Sequence, residues 1–284
     1  MRIPIIILNY NSSSNCRKCI GFIKQQKRVE TEIIIVDNCS KEIDLEAVQK
    51  LCAVEGCTFI ANKENRGYNA GNNVGLRYAA ENGYEYALIT NPDMEFTQLD
   101  YVARLAGQME QDDQIVVAGS DIIGSDGIHQ NPMERDGDWR TSFSWVRGCF
   151  RKKAKDSSYN FTVDWGKNHY CDKLSGCCLM VRMDFIRQIS FFDESVFLYC
   201  EEPILSRQVE LSEKRMYYLA TSQAVHAHIK SEKGDPVVRF KHWRQSRLYF
   251  IDHYSGYSMV GRWMAKFSVC LYTASYQLFR KLTK

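Results

Sequence analysis

A chain of 284 residues with 45% apolar and 25% charged content can bury a substantial core; it fits one large α/β domain, or one domain with a short extension. Eleven cysteines scattered without a small-domain framework, behind an N-terminus that lacks an export signal, argue against a disulfide scaffold and lead us to expect free thiols in a cytoplasmic protein. The net charge of +3 conceals an asymmetry, because residues 227–284 hold eleven Lys and Arg against Glu232, Asp235 and Asp252. That basic end should face something anionic: nucleic acid, phospholipid or a pyrophosphate.

Ile3 to Leu8 and Glu32 to Val36 are unbroken β-branched runs, as expected of strands buried on both faces. The polar, helix-length stretch between them, Ser14 to Lys27, completes a βαβ unit. Within it Cys16-Arg-Lys-Cys19 is a lone CxxC without a second ligand pair, more in keeping with a helical coincidence than with a zinc or redox site. The pattern then predicts helix over 45–52, strand over 58–61, helix over 70–82, strand over 86–90, helix over 99–111 and a fifth strand over 115–118. This half reads as an open parallel sheet with helices on both faces. From Gly124 to Asp172 no period is clear, and loops with a hairpin are expected to shape a pocket. Leu174 to Arg182 resumes an apolar run, 184–189 looks helical, and Phe197-Leu198-Tyr199-Cys200 leads straight into Glu201 and Glu202.

Towards the end, Met264, Phe267, Leu271, Ala274 and Leu278 recur at helical spacing, while Arg262, Lys266, Arg280, Lys281 and Lys284 supply charge without one acid. A basic amphipathic helix of this kind lies in a bilayer interface or packs on its own domain.

Polar groups cap four of the strands: Asn9, Tyr10 and Asn11 the first, Asp37 and Asn38 the second, Asn65 through Gly67, Gly71, Asn72 and Asn73 the third, and Asn91-Pro92-Asp93 the fourth. A proline supplies no ladder N–H and so ends a central strand, which leaves Asp93 at the carboxyl edge, where open α/β sheets hold ligands. A hard divalent cation there would take oxygen ligands; an ordinary turn is the plain alternative, as a loop and helix cap is for 65–73. The first strand is followed by Asn-Tyr-Asn-Ser-Ser-Ser, with no Gly-x-Gly-x-x-Gly, and no Gly-Lys-Ser/Thr loop occurs, which sets aside dinucleotide oxidoreductases and P-loop enzymes. Glu201 and Glu202, if partly dry, would raise each other's proton affinity and suit general-base work; a solvated helix start is the alternative. His226 and His228 alternate on a strand expected over 223–229, and one of them could complete a metal shell with Asp93.

Taken in this order, the motifs resemble the family 2 inverting glycosyltransferases, especially bacterial O-antigen and capsule enzymes, including rhamnosyltransferase-like members, over residues 3–255. Tyr10-Asn11 is similar to the family's Tyr-Asn pair, and Val36-Asp37-Asn38-Cys39-Ser40 to its Val-Asp-Asn-x-Ser, which implies a nucleobase contact at Asp37. Asn65, Gly67, Gly71 and Asn73 match Asn-x-Gly-x-x-x-Gly-x-Asn, and Asn91-Pro92-Asp93 implies Mg or Mn at the donor diphosphate. Ser175-Gly176 through Arg182 resembles the Gly-rich strand between donor and acceptor. The usual Gly-Glu-Asp-x-Asp-Leu is altered to Cys200-Glu201-Glu202-Pro203-Ile204-Leu205, so Glu202 takes the place of the catalytic Asp and the second Asp is lost to Ile204. His226 with Ser231 resembles His-x-x-x-x-Ser.

The resemblance implies an α/β GT-A fold, a Rossmann-like, mostly parallel sheet in one nucleotide-sugar-binding domain over 1–235, with 236–284 as a basic helical extension on the inner face of the cytoplasmic membrane. It further implies a dTDP- or UDP-sugar donor, a lipid-linked glycan acceptor, and a single displacement in which Glu202 takes the acceptor proton. Arg244 and Arg247 would grip a pyrophosphate, or else form a solvated basic face; a homodimer is allowed, and no nucleic-acid module is present. The altered acidic motif keeps one rival, a catalytically silent nucleotide-sugar-binding partner of a glycan assembly complex.

Overall fold

The computed structural model describes residues 1–146, 165–228 and 235–282. Its first strand, β1 (Arg2–Asn9), sends successive isoleucines into two different layers, as a strand buried on both faces must. Ile3, Ile5 and Ile7 pack with Cys19 and Ile20 of α1 (Ser13–Ile23), Val48 and Leu51 of α2 (Glu42–Glu55) and Leu105 of α4 (Tyr101–Glu110). Ile6 enters the opposite layer with Leu76 of α3 (Tyr68–Glu81), Phe185 of α5 (Met183–Gln188) and Val209 of α6 (Glu201–Leu211). Each such isoleucine contributes about 1.5–3 kcal/mol by burial. Helix α3 sits directly on β1 because glycines face it: a Cβ at Gly75 would lie 2.5 Å from Ile6 Cγ2, and one at Gly71 2.5 Å from Leu8 Cδ1. The ten cysteines among the described residues are free thiols, and the CxxC pair, Cys16 and Cys19, lies buried on α1.

Among the described residues nine strands form one sheet. Strands β2 (Glu30–Asp37), β3 (Thr58–Ala61) and β4 (Tyr86–Thr90) run parallel to β1 in the order β3-β2-β1-β4. Beyond β4 the expected parallel arrangement gives way: β8 (Cys178–Arg182) is inserted antiparallel between β4 and β6 (Ile115–Gly124). Next to β6 and parallel to it runs β9 (Arg215–His226), whose far side takes β7 (His169–Cys171) and β5 (Met94–Glu95), both antiparallel.

Two strands are longer than their sequence suggests. The strand expected at 115–118 is β6 and runs ten residues; the polar Ser120 and Asp121 lie within it, buried because partners satisfy them. Tyr101 Oη lies 2.9 Å from Ser120 Oγ, and Asp121 lies 2.6 Å from His129 Nδ1 and accepts from Gln223 Nε2 at 3.0 Å. The strand expected at 223–229 is the end of the twelve-residue β9, whose last residue is His226; Ile229 and Ser231 lie outside the described residues. The hairpin expected after Gly124 is a tight one, an antiparallel bridge from Ile123 to His129 closed by Gly124 N–H donating to Ile128 O at 2.9 Å.

Helix α7 (Pro236–His253) starts on a side-chain cap, with Asp235 Oδ1 accepting from Val237 N at 2.8 Å and proline in the first turn. It is joined to the main body: Ser246 Oγ donates to Leu198 O at 2.7 Å, and Tyr249 donates its hydroxyl to Asp193 at 2.8 Å. Helix α8 (Met259–Leu282) packs Ala265 and Val269 inward while Val260, Trp263, Phe267, Leu271 and Leu278 stay exposed. No described helix is long and apolar enough to cross a membrane.

Candidate active site

The strand directions decide where polar groups meet. Since β8 runs against β4, the residues that lead into β8 lie beside those that leave β4, and Asn91 N–H donates to Cys177 O at 2.8 Å. The adjoining Gly176 accepts from Tyr68 Oη at 2.5 Å, and its N–H points to Glu202 Oε1 at 3.4 Å. Asp93 and Glu202 are therefore tied to one edge of the sheet through Gly176 and Cys177. Tyr68, Gly176, Glu201, Glu202 and Leu205 line a common pocket.

The chain enters α6 through two consecutive left-handed residues, Tyr199 at φ 73° and Cys200 at φ 66°. Glycine adopts that conformation without a Cβ penalty, which gives the Gly of the resembling motif its physical reason. The turn folds Glu201 back on its own helix start, where Glu201 Oε1 accepts from Tyr199 N at 2.7 Å. Burial, followed by the adjacent Glu202, pushes the Glu201 carboxyl up to about 8. Ile204, which stands where the motif has a second acid, is 1% exposed and packs with Val196 and Phe250, so its side chain belongs to the seam with α7 rather than to the pocket.

On the other side of Gly176, Asp93 O accepts from Ala227 N at 2.9 Å, and Met94 pairs with His226, which draws the end of β9 against the turn. Asp93 Oδ1 is then 3.3 Å from His226 Nε2, and Oδ2 is 3.3 Å from His228 Nδ1. Burial pushes the Asp93 carboxyl upward, but the two histidines outweigh it and hold it below its ordinary range. Ligand atoms of all three residues fall within 4.8 Å of one another. Asp93 Oδ1 and His226 Nε2 are both buried without a hydrogen-bond partner among the described residues, and a divalent cation between them would satisfy both. One carboxylate and two imidazoles suit Mn2+ better than Mg2+, which favours oxygen.

The remaining residues singled out in the sequence mostly hold one another. Asn9 is buried and donates to Asp37 Oδ1 at 2.8 Å and Asp44 Oδ2 at 2.9 Å. Asp37 is likewise fully buried, its second oxygen accepting from Ser40 N at 2.9 Å, so it braces the end of β2. Asn38 donates to Asn65 Oδ1 at 3.0 Å and to Gly67 O at 3.1 Å. Asn73 clamps α3 to Phe192 through its carbonyl and amide, while Asn72 donates to Tyr68 O at 3.0 Å and leaves a buried Oδ1 without a partner among the described residues. Gly71 serves the contact with β1 described above. Gly67, at φ 101°, lies against Phe197, where a Cβ would meet the carbonyl oxygen at 2.2 Å. Tyr10 and Asn11 are exposed at the edge, with Asn11 Oδ1 accepting from Lys41 N at 2.8 Å. Of the two α7 arginines, Arg247 pairs with Asp136 at 3.2 Å and Arg244 donates to Cys270 Sγ at 3.9 Å. Sequence reading missed Tyr68, Cys177 and Gln130, whose Oε1 lies 2.8 Å from His226 Nδ1; the first was hidden inside the Asn and Gly cluster, and Gln130 sits in the stretch without a period.

The sequence model of glycosyl transferase family 2 matches residues 5–186. The chain belongs to that family. A hexosyltransferase of low-salt glycan biosynthesis, Agl10 of Haloferax volcanii, is 26% identical over 201 residues, 70% of this chain. An N-acetylglucosaminyl-diphospho-decaprenol L-rhamnosyltransferase of Mycobacterium tuberculosis is 28% identical over 100 residues, 34% of this chain. This chain spans 59% and 33% of the lengths of those two relatives. Among solved structures, a mannosyltransferase from Pyrobaculum calidifontis in complex with GDP-Man and Mn2+ shares the fold with a TM-score of 0.60 at 15% identity, covering 98% of this chain and 75% of that one. TarS of S. aureus in complex with UDP shares it with a TM-score of 0.57 at 15% identity, covering 94% and 70%.

Proposed function

We propose that the protein transfers a sugar from a nucleoside-diphosphate sugar to a lipid-linked glycan acceptor, with inversion at the anomeric carbon and dependence on a divalent cation. The observation that carries this reading is the shared edge: the Asp93, His226 and His228 cluster and Glu202 are joined by the Gly176-Cys177 segment. Asp93 and His226 would hold the cation, with His228 adjacent. When bound, the cation neutralises the donor diphosphate and eases its departure. Glu202 takes the proton from the acceptor hydroxyl as that oxygen attacks the anomeric carbon from the side opposite the diphosphate, and one displacement inverts the centre. Glu201, its carboxyl pushed up to about 8, keeps its proton near neutral pH and leaves that task to Glu202.

A dTDP- or UDP-sugar is the donor we favour, and bacterial surface polysaccharide, of O-antigen or capsule type, the product; the mycobacterial relative's name supports a polyprenyl-linked acceptor. The exposed apolar stripe of α8, flanked by Arg262 and Lys266 and free of acids along the helix, supports peripheral docking on an anionic inner leaflet. A thermal-shift panel of nucleoside diphosphates and their sugars, with Mn2+ or with a chelator, tests the donor reading. Stabilisation by a uridine or thymidine diphosphate that disappears with the chelator is expected, and stabilisation indifferent to the chelator would refute the cation's part. A catalytically silent partner would bind the donor equally well and transfer nothing.

A further inference from the structure

We infer that Gln130 is the positioning residue that fixes His226 in the tautomer able to ligate a cation, and that Gly124 is the seat that allows it to do so. The inference rests on the cation reading above and extends it to a residue outside the ligand cluster. A neutral imidazole carries one N–H and one lone pair, and whichever nitrogen donates to a neighbour decides which nitrogen is left for metal. Gln130 Oε1 lies 2.8 Å from His226 Nδ1, and an amide oxygen only accepts. An Nδ1–H held by that oxygen leaves Nε2, 3.3 Å from Asp93 Oδ1, as the nitrogen that can give its lone pair to a cation. Both facing atoms are buried without a hydrogen-bond partner among the described residues, and a cation between them would satisfy both.

The seat of Gln130 is built into the sheet. Gly124 is the last residue of β6 and is in register with His226 on β9. A Cβ at Gly124 would come within 2.9 Å of Gln130 Nε2 and 2.7 Å of Asp126 Oδ1, so a side chain there would push the amide off the strand end. The tight turn from Gly124 to Ile128 returns the chain, and Gln130 N–H donates to Ile122 O at 2.7 Å, which fixes the backbone from which the side chain reaches across to His226. Ligating histidines held by such an outer partner typically lose about 10- to 100-fold in metal affinity when it is removed.

The test is titration of the full chain with Mn2+ alone, followed by the loss of the free-ion electron paramagnetic resonance signal, alongside thermal midpoints in chelator as a measure of folding. Gln130→Met, close in shape but without an acceptor, is expected to weaken Mn2+ binding at least about 10-fold, and Gln130→Glu, which keeps an acceptor, to bind at least as tightly as the native chain. Gly124→Ala should weaken it in the same direction as Gln130→Met, and reads the seat independently if Gln130→Met folds poorly. Unchanged Mn2+ affinity in Gln130→Met, or equal loss in Gln130→Met and Gln130→Glu, would overturn the positioning role while leaving the cation reading intact. Absence of Mn2+ binding by the native chain, or native-like binding by His226→Ala, would overturn both.

Discussion

Replacing Glu201 with Gln removes one titrating proton while keeping the shape and the oxygen that accepts from Tyr199 N–H. Burial and the neighbouring Glu202 raise this carboxyl from 4.5 to about 8 in the folded chain. A raised carboxyl favours the fold in its neutral form: the contribution is complete below pH 4.5 and is lost as pH climbs toward 8, at ~1.4 kcal/mol per pH unit. From about pH 5 to pH 7 the native chain should therefore lose ~2.5 kcal/mol that Glu201→Gln does not lose. The side chain keeps partial access to solvent, so screening trims the difference to ~1–2.5 kcal/mol. At roughly 2–4 °C per kcal/mol for a chain of this size, the variant should gain several degrees of thermal midpoint relative to the native protein between those two pH values. Calorimetry of both proteins in chelator at each pH measures it, and the change in their separation is the quantity read because carboxyls remote from position 201 titrate equally in the two. Parallel curves, with the same separation at both pH values, would refute the assignment of a raised Glu201.

Gly67→Ala places a Cβ 2.2 Å from Phe197 O on a backbone at φ 101° and should cost ~3 kcal/mol or more in urea unfolding; because the displaced segment leads into Glu201 and Glu202, transfer by the surviving folded protein should fall as well. Gly75→Ala, 2.5 Å from Ile6 Cγ2, should cost ~1–3 kcal/mol and leave transfer per folded molecule intact. Joint replacement of the exposed Trp263 and Phe267 by Glu should abolish flotation with anionic vesicles while preserving the thermal midpoint and activity on a soluble acceptor; flotation equal to that of the native chain would remove α8 from membrane docking.

Much of the sheet could be read from the chain because its strands are apolar on both faces: Tyr86–Thr90 appears where its pattern put it, and the isoleucines of β1 and β2 mark the centre of the core. What stayed hidden were features made by distant partners. Strand β6 carries Ser120 and Asp121, which look like loop residues until Tyr101, His129 and Gln223 are seen to satisfy them. The Asn-Pro-Asp turn and the two histidines announced the cluster at Asp93, since a chain-stopping proline and alternation along a strand are local signals. Gln130 gave none, because its significance depends wholly on the register that brings Gly124 opposite His226. The asparagines around 65–73 were legible as a cluster but not as a brace, since only packing reveals that Asn73 grips the backbone at Phe192.

The most direct test of the account is transfer by Glu202→Gln, assayed against donor binding in the same preparation with Mn2+ present. Loss of a general base from an otherwise intact site should lower the transfer rate about 10²- to 10⁴-fold while leaving the donor bound within about threefold of the native affinity. Transfer at near-native rate, or a loss explained entirely by weaker donor binding, would contradict the claim that Glu202 receives the acceptor's proton across from Asp93.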